Sequence, residues 1–154
     1  MISRTAEYAL RAMVYLAVDP DAPRTVKELA AATRVPEGYL SKVMQGLGRA
    51  GLVRSQRGLH GGFALAKSAA ELTILEVVDA VDPLPRLESC PLGLHAHKGE
   101  LCPLHRRLAA ATAEVERAFA ASTLAELLAD PSPSKPLCAV PAPPPTRPRR
   151  RRTG

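Results

Sequence analysis

Two cysteines and three histidines crowd into one stretch, CPLGLHAHKGELCPLH, where Cys90, His95, His97, Cys102 and His105 fall within sixteen residues. Of the four histidines only His60 lies elsewhere, and of the three cysteines only Cys138. Thiolates and imidazoles are the ligands of iron–sulfur clusters, zinc and copper. Cys102 and His105 stand three residues apart, so at a helix start both side chains can face one point. Pro91 and Pro103 follow the two cysteines. They stiffen the chain there and remove an N–H that would compete for the sulfur. Three chemistries stay open on these residues: a metal or cluster site, a redox thiol pair closing Cys90 to Cys102, or unliganded side chains on a loop. Cys138 is expected to be a bystander.

A second constellation runs from Val35 to Ala66, VPEGYLSKVMQGLGRAGLVRSQRGLHGGFALA. Leu40, Val43, Met44 and Leu47 keep the three-and-four spacing of a helix with one face on a core. Its other face carries Tyr39, Ser41, Lys42, Gln45 and Arg49, all donors suited to phosphates or base edges. Ala50-Gly51 stops the helix, because glycine takes the left-handed conformation beyond a helix end with least strain. Leu52–Gln56 and Phe63–Ala66 then read as short strands around a basic, glycine-rich loop, Arg57–Gly62. A helix followed at once by such a hairpin is the pattern of a winged helix-turn-helix.

The elements that must position these groups follow from local signals. Ser3 to Val18 reads as a helix with Ala9, Ala12, Met13, Leu16 and Ala17 inward and Arg4, Glu7 and Arg11 outward. Asp19–Pro23 breaks it. Thr25-Val26-Lys27-Glu28 is a capping box that opens a short helix to about Ala32. Thr33–Pro36 forms the turn, with Pro36 expected at the first position of the reading helix. Helix, turn, helix is the unit that places its second helix in the DNA major groove. A second capping box at Thr73–Glu76 opens a helix ending near Val81, before Asp82-Pro83. A long helix spans about Leu101 to Ala121 with Leu104, Leu108, Ala111, Val115 and Phe119 on one stripe, either a dimer arm or a helix folded back on its own domain. Thr123–Glu126 caps a last short helix.

The formal charge is +6, of which Arg147, Arg149, Arg150, Arg151 and Arg152 supply five, leaving +1 for the rest. Attraction to nucleic acid must therefore come from local patches. Trp is absent and aromatic residues make up 3%, which argues against a base-stacking single-strand binder. No stretch approaches the roughly 18 apolar residues of a membrane span. The N-terminus lacks a small-residue cleavage site, and the few cysteines suit a reducing compartment. A cytoplasmic protein without membrane contact is the expectation. After Asp130 the chain turns Pro-rich and then Arg-rich, so it is expected to be disordered, either adding nonspecific phosphate affinity or standing solvated.

The opening EYALRAMVYLA, the unit TVKELAAATRVPEGYLSKVMQGLGRAGLVRS, the wing RGLHGGFALA and the later cysteine segment together resemble the Rrf-two family of bacterial transcription regulators, over about residues 1–130. The resemblance implies a mainly α protein with a small β-hairpin: a winged helix-turn-helix DNA-binding domain (1–82), a Cys/His sensor loop (83–100), and a long C-terminal dimerisation helix with a short terminal helix (101–130); the Pro/Arg-rich tail (131–154), expected to be disordered from its composition, lies beyond it. It implies homodimers on palindromic operators in double-stranded DNA, and the regulator is expected to act as a repressor. The expected DNA contacts are Thr25, Tyr39, Ser41, Lys42, Gln45, Arg57, Gly58, Gly61 and Gly62.

The same resemblance places Cys90, Cys102 and His105 at the first cysteine, the third cysteine and the following histidine of cluster-binding members. Ala96 stands at the middle cysteine, flanked by His95 and His97. Glu7 matches an acidic ligand that some members contribute from the partner chain's first helix. A [2Fe–2S] cluster on a mixed Cys/His/Glu set, a zinc site, or no metal at all remain the readings, and the signal would be iron, nitric oxide or redox state. Cys102 and His105 as nucleophile and base lack an orienting partner and an oxyanion turn, so an enzyme is not expected.

Overall fold

The structure is a computed structural model and describes residues 2–58, 61–90 and 100–133. Helix α1, Arg4–Val18, begins where the Ser3 hydroxyl accepts the Ala6 N–H at 3.1 Å. Its alanines, with Met13 and Leu16, are buried at the centre of the core. Small side chains on one face let α2, Val26–Thr33, and α3, Glu37–Arg49, pack closely against it. The capping box at α2 forms as expected: Thr25 Oγ1 accepts from Glu28 N at 3.2 Å, and Glu28 Oε2 accepts from Thr25 N at 2.7 Å.

Pro36 stands one place earlier than expected, as the residue preceding α3 rather than its first. Its fixed φ, here −56°, suits the entry. Its carbonyl accepts from Tyr39 and Leu40 at 3.0 and 2.9 Å. Gly51 follows α3 with φ +73°, the left-handed stop that the sequence anticipates.

The wing pairs β1, Val53–Gln56, antiparallel with β2, Gly62–Leu65, in the register Val53 to Leu65 through Gln56 to Gly62. The second strand starts and ends one residue earlier than expected: Gly62 pairs with Gln56, while Ala66 lies just past the paired register, its N–H donating to Leu52 O at 3.0 Å. A third segment, unforeseen, joins it. Arg24 N donates to Phe63 O at 2.9 Å, and Phe63 N donates to Arg24 O at 2.7 Å. The hairpin is thus stitched to the chain just before α2.

Helix α4, Ile74–Val81, and helix α6, Leu124–Ala129, carry the other two capping boxes, Thr73 with Glu76 and Thr123 with Glu126. Between them runs α5, Pro103–Ala120, which starts two residues after the expected Leu101 because Cys102 is its cap. After α5 the chain returns to the reading domain. Ile74 N donates to Ser122 O and Leu124 N to Leu72 O, both at 2.9 Å, and Leu124 is fully buried in the core shared with α1.

The cap glutamates give the fold a pH dependence. Backbone N–H groups at Thr25 and Thr73 hold the Glu28 and Glu76 carboxyls below their ordinary value of 4.5. A lowered folded value means the stability is present above the unfolded value and is lost as pH falls through the folded one. Melting temperature should therefore decline on acidification below about pH 4.5, and Glu76→Gln should flatten part of that decline. Thermal melts of both proteins across this window check it; equal slopes would remove the Glu76 cap from the acid response.

Candidate nucleic-acid interface and metal centre

Helix α3 buries Leu40, Val43, Met44 and Leu47 and turns Lys42, Gln45 and Arg49 fully outward, with Ser41 half-buried beside them. Arg57 and Gly58 are exposed at the wing tip. Gly58 has φ +111°, a conformation that favours glycine. Gly61 and Gly62 owe their identity to close packing: a Cβ would come within 2.5 Å of Gln56 O at Gly61 and 2.6 Å of the Arg24 backbone at Gly62. The wing glycines are thus explained by the wing's own fold. Two expected contacts are already engaged inside the protein. The Thr25 hydroxyl serves the α2 cap, and the Tyr39 hydroxyl lies 2.5 Å from Thr5 Oγ1 although the residue remains 42% exposed.

The cysteine segment forms a second group. Pro103 at the head of α5 fixes the helix start, leaving Cys102 as cap and His105 one turn in. His105 Nδ1 lies 3.2 Å from Cys102 Sγ, as the three-residue spacing anticipates. Cys90, only 8% exposed, comes to 3.8 Å from the same nitrogen. Both thiols are free. The segment leading to Cys90 is tied down by buried Leu84 and by an ion pair from Arg86 Nε to Glu116 Oε1 at 2.8 Å on α5. That pair raises the Arg86 value above its usual range.

Among the described residues, no group of three or more His, Cys, Asp or Glu is disposed as a metal cage. Cys90, Cys102 and His105 are gathered as a thiol–imidazole hydrogen-bonding group instead. His95 and His97 lie outside the described residues, as do His60 and Cys138. Glu7 is not drawn into this group; its carboxylate accepts from the Arg11 guanidinium one turn along α1. A ligand role for Glu7 requires that pair to open.

The stripe on α5 divides. Val115 and Phe119 pack against the cluster formed by Ala6, Val78 and Leu84. Leu104 and Leu108, 64% and 47% exposed, have no such cover. Leu108, Ala111 and Val115 form one wall of an apolar groove of about 360 Å³, with Leu84, Pro85 and Leu87 opposite. Half of the helix folds back on its own domain and half is left to face outward.

A helix-turn-helix with a stitched wing and a trailing long helix defines a winged-helix transcription regulator. Residues 2–130 match the family described as Rrf2, iron-dependent transcriptional regulator, and the chain belongs to that family. It is 35% identical over 133 residues to the HTH-type transcriptional regulator NsrR of Geobacillus kaustophilus, covering 84% of this chain and 90% of that protein. Among solved structures, CymR, the global cysteine regulator of B. subtilis, superposes with a TM-score of 0.71 at 25% identity, covering 86% of this chain and 98% of that one. T. potens IscR shares the fold with a TM-score of 0.71 at 22% identity, over 86% of this chain and 88% of that one. The protein is a DNA-binding transcriptional regulator, and the family's members are regulators rather than enzymes. Among the described residues no helix is long and apolar enough to cross a membrane.

Proposed function

We propose that this chain is a cytoplasmic, homodimeric repressor that binds a palindromic operator and senses iron, nitric oxide or redox state through an iron–sulfur cluster of the [2Fe–2S] type. One observation carries the sensor half: Cys90 and Cys102, from the two ends of the cysteine segment, meet at one imidazole nitrogen of His105. Two thiolates and an imidazole are the donor chemistry such a cluster takes, and the family's iron dependence agrees with it. Cys90, Cys102 and His105 would hold the group, with His95, His97 or the partner's Glu7 supplying what remains. When bound, it adds one-electron redox chemistry at the head of α5. The protein's own part is to carry a change there into α5 and, through the Arg86–Glu116 tie, into the segment leaving α4.

Because the thiols stand free beside the imidazole and form no cage as they are, a zinc site or a Cys90–Cys102 thiol switch is the second reading. Protein purified without oxygen separates them. Absorption bands above about 400 nm with bound iron and sulfide, abolished by Cys90→Ala or Cys102→Ala, support the cluster. A colourless, operator-binding protein overturns it.

On the DNA side, α3 enters the major groove with Ser41, Lys42 and Gln45. Arg57 and the wing backbone at Gly58, Gly61 and Gly62 reach the minor groove or phosphates. Lys42→Ala should weaken binding to all sequences and lower the salt slope by about one. Titrations at several salt concentrations measure this, and an unchanged slope would take Lys42 off the phosphates.

A further inference from the structure

The face of α1 that meets the helix-turn-helix corner carries hydrogen-bonding groups beside its alanines. Thr5, Tyr8 and Arg11 recur at every third residue and line that face. At one end, Thr5 Oγ1 lies 2.5 Å from Tyr39 Oη, and the Tyr8 ring meets the Tyr39 ring edge-on, centroids 5.5 Å apart at 87°. At the other end, the Arg11 guanidinium lies 5.7 Å from the Tyr8 centroid, and Arg11 Nη1 donates to the Thr33 carbonyl at 3.4 Å. Glu7 holds Arg11 in place. Thr33 is the last residue of α2, and Tyr39 stands in the first turn of α3. Helix α1 therefore grips both arms of the corner, while Arg34 between them is held left-handed at φ 56°.

Apolar contacts are non-directional and leave a helix free to rock by small angles. Hydrogen bonds and an edge-on ring pair fix direction as well as distance. Base edges must be met to within a fraction of an ångström, so the angle of α3 is worth fixing.

We propose that Thr5, Tyr8 and Arg11 form a polar clamp that sets the angle of the reading helix. Tyr39 acts through this clamp as a positioning residue and not as a DNA contact. The inference rests on the α3 reading role given above and takes Tyr39, a DNA contact expected from the sequence, off the DNA.

The test is a double-mutant cycle on a duplex selected by the wild-type protein from a random-sequence pool. Thr5→Val and Tyr39→Phe should each weaken binding to that duplex about three- to tenfold. The double variant should be no weaker than the worse single one, since both substitutions break one bond. Binding to unrelated duplex and the salt slope should not move. Thr5→Ser should restore affinity. Additive losses, or a loss with Tyr39→Phe alone, would place the Tyr39 hydroxyl on DNA and overturn the clamp. A lower melting temperature with unchanged affinity would overturn it too, leaving only a structural role. Should the wild type select no sequence, the DNA reading itself fails. The clamp is then judged by hydrogen exchange of the Leu40 and Ser41 amides, which should quicken in Thr5→Val; unaltered exchange would sink it.

Discussion

Replacing Leu108 with glutamate should yield a folded protein that no longer pairs with a second copy and binds its operator about a hundredfold or more weakly. The argument starts from what α5 does not cover. Its C-terminal half is anchored by Val115 and Phe119 on the Ala6–Val78–Leu84 cluster. Leu108 belongs to neither core cluster, so a charge there should leave the monomer's fold intact. Yet Leu104 and Leu108 remain open to water beside an apolar groove, and a second copy of the same helix is the occupant that the proposed dimer supplies. A carboxylate driven into that interface would be desolvated without a partner. Two reading heads on one palindrome gain the effective concentration that linkage provides, and that gain disappears with the dimer. Light scattering, circular dichroism and operator titration give the three readouts. A Leu108→Glu protein that stays dimeric would move the partner contact to another surface.

What the sequence exposes here is what is local. The capping boxes at Thr25, Thr73 and Thr123 are legible because cap and glutamate lie three residues apart. Each forms as read. The apolar face of α3 is legible for the same reason, as is the approach of His105 to Cys102. The misses are contacts made across the chain. Nothing near Arg24 announces that it will pair with Phe63, and nothing near Tyr39 announces Thr5 as its partner. One signal was present for the clamp: polar groups at a helical repeat in Thr5, Tyr8 and Arg11, on a helix otherwise built of small apolar residues. Cys90 could be grouped with Cys102 only by composition, since the packing of Leu84 and the Arg86–Glu116 tie that deliver it are tertiary. Likewise the Thr123 cap marks α6 as a helix, but not that Leu124 will be buried against α1.

Replacing Gly62 with alanine should remove the wing as a rigid unit, at a cost of about 1–3 kcal/mol in stability and with a loss of operator affinity of about tenfold. The new Cβ would stand 2.6 Å from both the carbonyl carbon and oxygen of Arg24 and 2.9 Å from its nitrogen. These are backbone atoms that cannot swing aside. Arg24 is also fixed from its other end, by Asp19 at 2.9 Å and by stacking 5.8 Å from the Tyr15 centroid. Relief therefore has to come from breaking the paired bonds between Arg24 and Phe63, which are what stitch the hairpin to the body. Arg57→Ala provides the contrast. It removes an exposed side chain at the tip, so it should lower operator affinity while leaving the melting temperature where it was. Gly58→Ala lies between the two: its φ of +111° carries strain, but a Cβ there meets nothing within 4 Å, so the tip distorts and the stitch holds. Melting temperatures and operator titrations on the three variants order them. If Gly62→Ala melted with the wild type and bound as tightly, the Arg24–Phe63 bridge would not be what holds the wing to the reading head.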